Sequence, residues 1–353
     1  MTFTSRALSI LLAVTLALTP AGCRDREEPG FAARAVEPKS DTFFMFDTIN
    51  TVNVYDERMT EQIFRELEAA GRELDARLNR FSADSEIARV NAAAGKEAVT
   101  ISADTCEVLR LALDMARRSQ GKFDPTVGPL VDLWGIGTER ATRPPESEIR
   151  KAAELVNYEW VELDDAACSV FLTKPGMSLD LGAVAKGYAG DRFAAFLKER
   201  GFRSAIIDLG GNVVAVGEKT DGKPWRIGIQ NPENSRGEHV AVVEVRDQSV
   251  VTSGIYERYF IQDGVRYHHL LNPDDGYPAQ NNLYSVTVVT ARSAYADTLS
   301  TALFVMGLED GLAFAESLPE AEALFLTKDR EIHVTEGLRD RVTVTDGDYK
   351  LMP

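Results

Sequence analysis

The sequence predicts an α+β fold of mostly antiparallel sheets with flanking helices. Three observations lead there. Strand-like runs rich in β-branched residues, such as Leu283–Thr290 (LYSVTVVT), outnumber runs with helical periodicity. Several are joined by tight turn signals: Gly210–Gly211 inside Ser204–Gly217, and Asp263–Gly264 inside Tyr256–Leu271. No internal repeat or low-complexity stretch suggests a solenoid or a disordered chain.

The chain has 353 residues, of which 44% are apolar and 27% charged, an ordinary globular composition with room for a substantial core. Its net charge of −16 argues against a nucleic-acid surface, which needs basic patches. The first residues read as an export signal. Arg6 supplies the positive start, and the apolar run Ala7–Leu18 is short for a membrane-spanning helix. Ala21–Gly22–Cys23 resembles a bacterial lipobox, although Pro20 stands where an aliphatic residue is usual. Two readings of Cys23 follow: a lipidated N-terminus, or an ordinary Cys behind a plain secretory signal. The expected division is a signal peptide over 1–22, a charged, Pro-containing tether over 23–40, and one domain over 41–353. Cys106 and Cys168 read as buried thiols, which an oxidising compartment would allow to pair. No Cys/His cluster of zinc-ligand spacing accompanies His239, His268, His269 and His333.

The elements follow in order. Phe43–Tyr55 reads as one strand and Thr60–Leu78 as an amphipathic helix. Asn79–Asn91 is a polar loop running into a short helix, with Ser85 as its cap, and Ser102–Ser119 is a further helix. Gly121–Gly137, dense in Gly, Pro and aromatics, reads as a shaped loop without regular structure. Pro144–Val156 is a surface helix, followed by strands around Val161–Leu163 and Val170–Thr173. Ser178–Arg200 is a loop entering a long helix. Strands then cover Trp225–Gln230, Val240–Val245 and Val250–Thr252. Ser293–Gly307 is a helix, capped by Ser293 and stopped by Gly307. Gly311–Ser317 is helical, Glu322–Thr327 is a strand, and Ile332–Val334 and Val342–Thr345 finish the sheet.

Three features carry chemistry. On the largely apolar helix Ser293–Gly307, Asp297 and Thr301 stand one turn apart and share a face. A carboxylate and a hydroxyl buried together need a partner. A hard divalent cation such as Mg²⁺ would serve, and so would hydrogen bonds to a neighbouring loop. Asp180–Gly187 runs from loop to helix, where free N–H donors and Lys186 suit a phosphate. In Gly121–Gly137, Phe123 and Trp134 could stack on a planar ring or be core, and Asp124 could accept from a ring N–H or a ribose hydroxyl. Metal, phosphate and aromatic features together suggest a nucleotide or dinucleotide. Neither a GxGxxG fingerprint nor a P-loop is present.

Six stretches also resemble, in order, the motifs of the ApbE-type FAD:protein FMN transferases. They are Phe46–Thr48, Lys122–Leu130, Asp180–Gly187, Asp208–Asn212, His269–Pro273 and Ala296–Ala302. The resemblance implies an ApbE-like single catalytic domain and a Mg²⁺-dependent enzyme. It would cleave FAD, attach FMN to a Thr or Ser hydroxyl of an acceptor protein and release AMP. Asp297 and Thr301 would be side-chain Mg²⁺ ligands, with the backbone carbonyl of Ala183. Phe46, Phe81, Lys122, Phe123, Asp124, Asp180, Lys186, His269 and Leu270 would line the FAD site. Phe81 stands where relatives often carry Tyr, and Asn272 where they carry Asp. His269 is the first candidate for general base, beside a purely structural role, and Asp180 the second, beside simple FAD binding. The acceptor would be an exported domain of a membrane redox complex, and the chain a lipid-anchored protein facing the periplasm. The alternatives are an FAD pyrophosphatase with the same site, and a non-catalytic FAD-binding lipoprotein.

Overall fold

The hairpin signals are answered by a large antiparallel sheet in the computed structural model, which describes residues 36–235 and 237–353. The signal peptide 1–22, Cys23 and most of the tether lie outside the described residues. Lys39–Met45 (β1) and Thr48–Val54 (β2) pair with Met45 opposite Thr48. This corrects the reading of Phe43–Tyr55 as one strand. The turn is Phe46–Asp47, with φ of 52° and 56°, the left-handed pair that a two-residue hairpin uses. Neither residue is Gly or Asn, so the usual signal is missing. β1 also begins within the stretch assigned to the tether.

Glu61–Leu78 (α1) and Glu86–Ala92 (α2) start at Thr60 and Ser85, whose side-chain oxygens accept from the third backbone N–H onward, Ile63 and Ala88. A short strand, Val99–Thr100 (β3), precedes Ala103–Arg118 (α3), capped by Ser102. Gly128–Trp134 (α4) corrects the reading of its segment as irregular. Pro129 fits the first turn, and Gly135, at φ 58°, ends the helix. Glu146–Ala153 (α5) follows, then the hairpin Val161–Asp164 (β4) and Ser169–Leu172 (β5), which pairs with β3.

The second half holds Gly182–Glu199 (α6), Ser204–Leu209 (β6), Asn212–Gly217 (β7), Trp225–Gln230 (β8), His239–Val245 (β9) and Ser249–Gly254 (β10). Tyr259–Gln262 (β11) and Val265–His268 (β12) form the expected hairpin. Leu283–Thr290 (β13), Ser293–Met306 (α7), Leu308–Glu316 (α8), Ala321–Thr327 (β14), Glu331–Val334 (β15), Val342–Val344 (β16) and Lys350–Leu351 (β17) complete the chain. The nine-stranded sheet runs β1-β2-β6-β7-β10-β13-β14-β15-β17, antiparallel except for its last pair. Val342–Val344 does not finish this sheet, as its sequence suggested. It pairs with β9 in a three-stranded sheet with β8.

Helices cover one face of the large sheet, with α1 on β1, α6 on β7, α7 on β10 and β13, and α8 on β14. Their apolar stripes and the sheet's inner face share one core, which includes Met45, Val52, Phe193, Val251, Val288, Leu299 and Phe304. The opposite face carries Val250, Val289 and Leu324 against Trp225 and Val243 of the small sheet. Helix α7 therefore lies deep. Each fully buried Leu or Phe on it contributes about 1.5–3 kcal/mol, which offsets the polar groups it also takes inside.

Candidate active site at the contact between two helices

Asp297 is only 5% exposed. Its Oδ2 accepts a hydrogen bond at 2.9 Å from the backbone N–H of Gly187 on α6. One turn on, half-buried Thr301 approaches the Asp297 carbonyl at 3.4 Å and the Ser253 hydroxyl of β10 at 3.2 Å. The first turn of α6, ahead of Gly187, is distorted. Ala183 has φ −93° and ψ 22°, far from the helical ψ near −42°, and this rotates its carbonyl away from the helix axis. The carboxylate, hydroxyl and turned carbonyl are oxygen donors of the kind Mg²⁺ accepts. Among the described residues, no group of three or more His, Cys, Asp or Glu side chains could hold a metal. This set needs none, because only one of its donors is a carboxylate.

The two helices meet closely because α6 presents glycine there. A Cβ on Gly187 would lie 2.4 Å from the Ser293 carbonyl oxygen and 2.7 Å from Ala294 Cα. The expected cap of α7, Ser293, is instead its first helical residue, with a buried Oγ that has no hydrogen-bond partner among the described residues. The cap comes from α6. Asp191 accepts from the N–H groups of Ser293 at 2.6 Å and Ala294 at 3.0 Å. Burial raises the Asp191 pKa, and those two N–H bonds oppose the rise. Asp191 went unremarked in the sequence, yet it follows Gly187 by four positions, on the same helical face.

Asp180 accepts at Oδ1 from the Gly182 N–H at 2.9 Å, which pins the entrance to α6. Its Oδ2 lies 3.5 Å from Arg80, a second residue the sequence did not flag. The Arg80 side chain is 8% exposed, bound at 2.8 Å and 3.0 Å to Asp132, and lies over the Phe81 ring at 5.2 Å. Its Nε is buried with no hydrogen-bond partner among the described residues. Phe81 is 72% exposed and offers its other face to a planar ligand.

His269 and His268 divide the two roles that a histidine here could have. His268 is buried; its Nε2–H donates to the Ala279 carbonyl at 3.0 Å and its Nδ1 accepts from Leu270 N–H at 3.3 Å. Both nitrogens are occupied, so it is structural. His269 Nδ1 lies 3.2 Å from the Arg258 carbonyl, to which it can only donate. That fixes the tautomer and leaves the Nε2 lone pair to accept a proton. Desolvation pushes His269 down to about 3. Arg258 also pairs with Asp47 at 3.0 Å, which ties the Phe46 turn to the same corner.

The remaining predicted residues separate. Lys122 joins Asp274 at 2.5 Å, linking its loop to the chain after His269, and Lys186 Nζ lies 3.3 Å from the Gly182 carbonyl. Phe123 and Leu270 are packed in the main core. Asp124 is 7% exposed, with one oxygen held by Thr126 and the other by Tyr158 N–H. Burial nonetheless raises its pKa. Its geometry fastens the loop. Trp134 is fully buried, bonded to the Gly276 carbonyl and ringed by Phe260, Tyr267 and Tyr277, so it is core and not a stacking platform. Asn272 Oδ1 accepts from Asp274 N–H, the turn-shaping role in which Asn serves as well as Asp.

Residues 46–325 match the model of the ApbE family. The chain belongs to the ApbE family. It is 40% identical to a FAD:protein FMN transferase of Klebsiella pneumoniae over 76% of this chain and 84% of that one. It is 37% identical to one of Treponema pallidum, over 86% and 88%. Among solved structures it superposes on an ApbE protein of Thermotoga maritima with a TM-score of 0.80 and 30% identity, covering 86% of this chain and 99% of that one. The flavin transferase ApbE of Vibrio cholerae gives a TM-score of 0.76 at 27% identity, with the same coverage. In this ApbE-family chain the matched region takes in every residue named above for metal, flavin and base.

Proposed function

We propose that the protein is a Mg²⁺-dependent FAD:protein FMN transferase. The observation that carries this reading is the buried Asp297 carboxylate, one turn from the Thr301 hydroxyl and bonded to the backbone N–H of Gly187, four residues after the distorted Ala183. The carboxylate, the hydroxyl and the Ala183 carbonyl would hold Mg²⁺, which when bound would neutralise charge on the pyrophosphate. Lys186, at the start of α6, would add a positive charge there. Phe81 and the strained Phe46 turn would receive the flavin, and Asp180, fixed by Gly182 N–H and Arg80, would hold a polar group of FAD. His269 Nε2 would take the proton of the acceptor Thr or Ser hydroxyl as its oxygen forms the bond to the FMN phosphorus and AMP departs. Asp180 is the second candidate for that proton.

The charged start, apolar run and Cys23 support an exported chain, processed after residue 22, lipidated at Cys23 and tethered at a periplasm-facing membrane surface. The acceptor proposed is an exported domain of a membrane redox complex, such as a sodium-pumping NADH:quinone oxidoreductase. Incubating such a domain with the protein, FAD and Mg²⁺ tests the reading. The acceptor should gain one FMN on a hydroxyl residue, with AMP released in equal amount. Rapid AMP release without acceptor would instead mean an FAD pyrophosphatase. Bound FAD with no turnover under either condition would mean a non-catalytic flavin carrier.

A further inference from the structure

Away from this site, the two thiols Cys106 and Cys168 line one surface pocket with Ala103, Glu107, Arg110 and Asp165. Both are reduced in this structure, and both converge on one residue. The Cys106 thiol donates to Asp165 Oδ1 at 4.0 Å, and the Cys168 thiol to the Asp165 carbonyl at 3.7 Å. The turn that carries Cys168 is tightly built. Asp164 accepts from the N–H groups of Ala166 and Ala167, and the Cys168 carbonyl accepts from Ile101 N–H at 2.9 Å. Cys168 itself sits at φ 44°, in the left-handed region that residues with a Cβ rarely adopt. The two cysteines differ in access: Cys106 is 5% exposed, whereas Cys168 is half-buried. Burial, and then the neighbouring Cys168 thiol, push Cys106 up to about 12.

We propose that Cys106 and Cys168 form a reversible disulfide that fastens the first turn of α3 to the β4–β5 turn. The oxidant is an external disulfide, of a protein or a small thiol. Cys168 gives up its proton and attacks one of that disulfide's sulfurs as the thiolate, breaking the S–S bond, and the departing sulfur takes up that proton and leaves as a thiol. Cys106 then passes its proton to the Asp165 carboxylate and attacks the Cys168 sulfur, and the second external sulfur leaves as a thiolate that takes that proton back from Asp165. Two protein S–H groups are oxidised and one external disulfide is reduced to two thiols. An exported chain meets such oxidants. The same turn of α3 supports the active-site helix α6, because Asp104 and Glu107 accept from the Tyr188 hydroxyl at 2.9 Å and 3.1 Å. The lock therefore stiffens a support of the site without touching it.

The test uses the full chain, reduced and then held in excess oxidised glutathione, with free thiols alkylated before tryptic mass mapping. Peptides 97–110 and 152–186 should appear cross-linked, two hydrogens lighter than their sum, and separate on reduction. The oxidised protein should melt several degrees above the reduced one, because the link constrains a long loop of the unfolded chain. Cys168→Ser and Cys106→Ser should each abolish both the link and the shift. Complete alkylation of both cysteines, a glutathione adduct persisting on Cys168, or a link from Cys23 to either would overturn the proposal. None of these readouts involves flavin, so the outcome is independent of the transferase reading.

Discussion

Asp297 is where charge and hydrogen bonding can be separated at a single atom. Replacing it by Asn keeps an oxygen to accept from Gly187 N–H and removes the negative charge. Asp297→Asn should therefore keep the melting temperature within a few degrees while lowering FMN transfer by about 10²-fold or more, the scale of losing a metal's stabilisation of the transition state. Equal loss of stability and transfer would reduce Asp297 to a structural acceptor. His269 makes a second prediction. With its pKa held near 3, the ring stays neutral across the working range. Transfer should show no acid limb from this group between about pH 5 and 8. A limb centred near 6.5 that vanishes in His269→Gln would show instead that the ring titrates as an exposed imidazole. At this scale the sequence was most legible where a residue carries its own chemistry. The Asp297–Thr301 spacing and the loop before Lys186 were both readable. Phe123, Trp134 and Asp124 were not, because an aromatic or a carboxylate in a Gly-Pro-rich loop looks the same whether it meets a ligand or closes the loop upon itself.

Helices α6 and α7 form the element on which the site depends, and their contact is set by glycine and by a borrowed cap. Gly187→Ala would push a methyl group against the backbone of Ser293 and Ala294, which cannot yield as a flexible side chain would. Such overpacking should cost about 1–3 kcal/mol, seen in denaturant unfolding, and should lower transfer by shifting Asp297. Asp191→Ala removes the only carboxylate that caps α7 among the described residues and strands two N–H groups. The expected loss is about 2 kcal/mol. A variant as stable as the parent would mean that Ser293 takes over the cap. Most elements were visible beforehand from periodicity and from caps such as Thr60, Ser85 and Ser102. The Phe46–Asp47 turn was hidden because the left-handed conformation is imposed by the pairing of β1 with β2, without a Gly or Asn to announce it. The short helix α4 was hidden because Gly and Pro mark helix ends as readily as loops.

Across the whole molecule, the antiparallel plan could be read from its hairpins, but the strand order could not. Nothing local tells β16 to leave the large sheet for β9, or places β1 and β17 at opposite edges. The paired histidines also act at this scale. The pKa values of His268 and His269 fall from 6.5 to about 4 and about 3 in the fold, so the unfolded chain binds protons that the fold resists. Their contribution to stability is present above pH 6.5 and is lost as pH falls through that window. Asp124 and Asp191, raised above 3.8, act in the opposite direction. Melting curves should therefore show a decline below pH 6.5 that His268→Asn makes shallower; an unchanged slope would remove His268 from the account. On the proposed reading, one acid, one alcohol and one backbone carbonyl would hold the metal on which transfer depends. The most direct test is calorimetric titration of Mg²⁺ into the FAD-loaded protein and into Asp297→Asn. A single site in the parent that disappears in the variant, with FAD still bound, is the predicted result; equal Mg²⁺ binding by both proteins would contradict it.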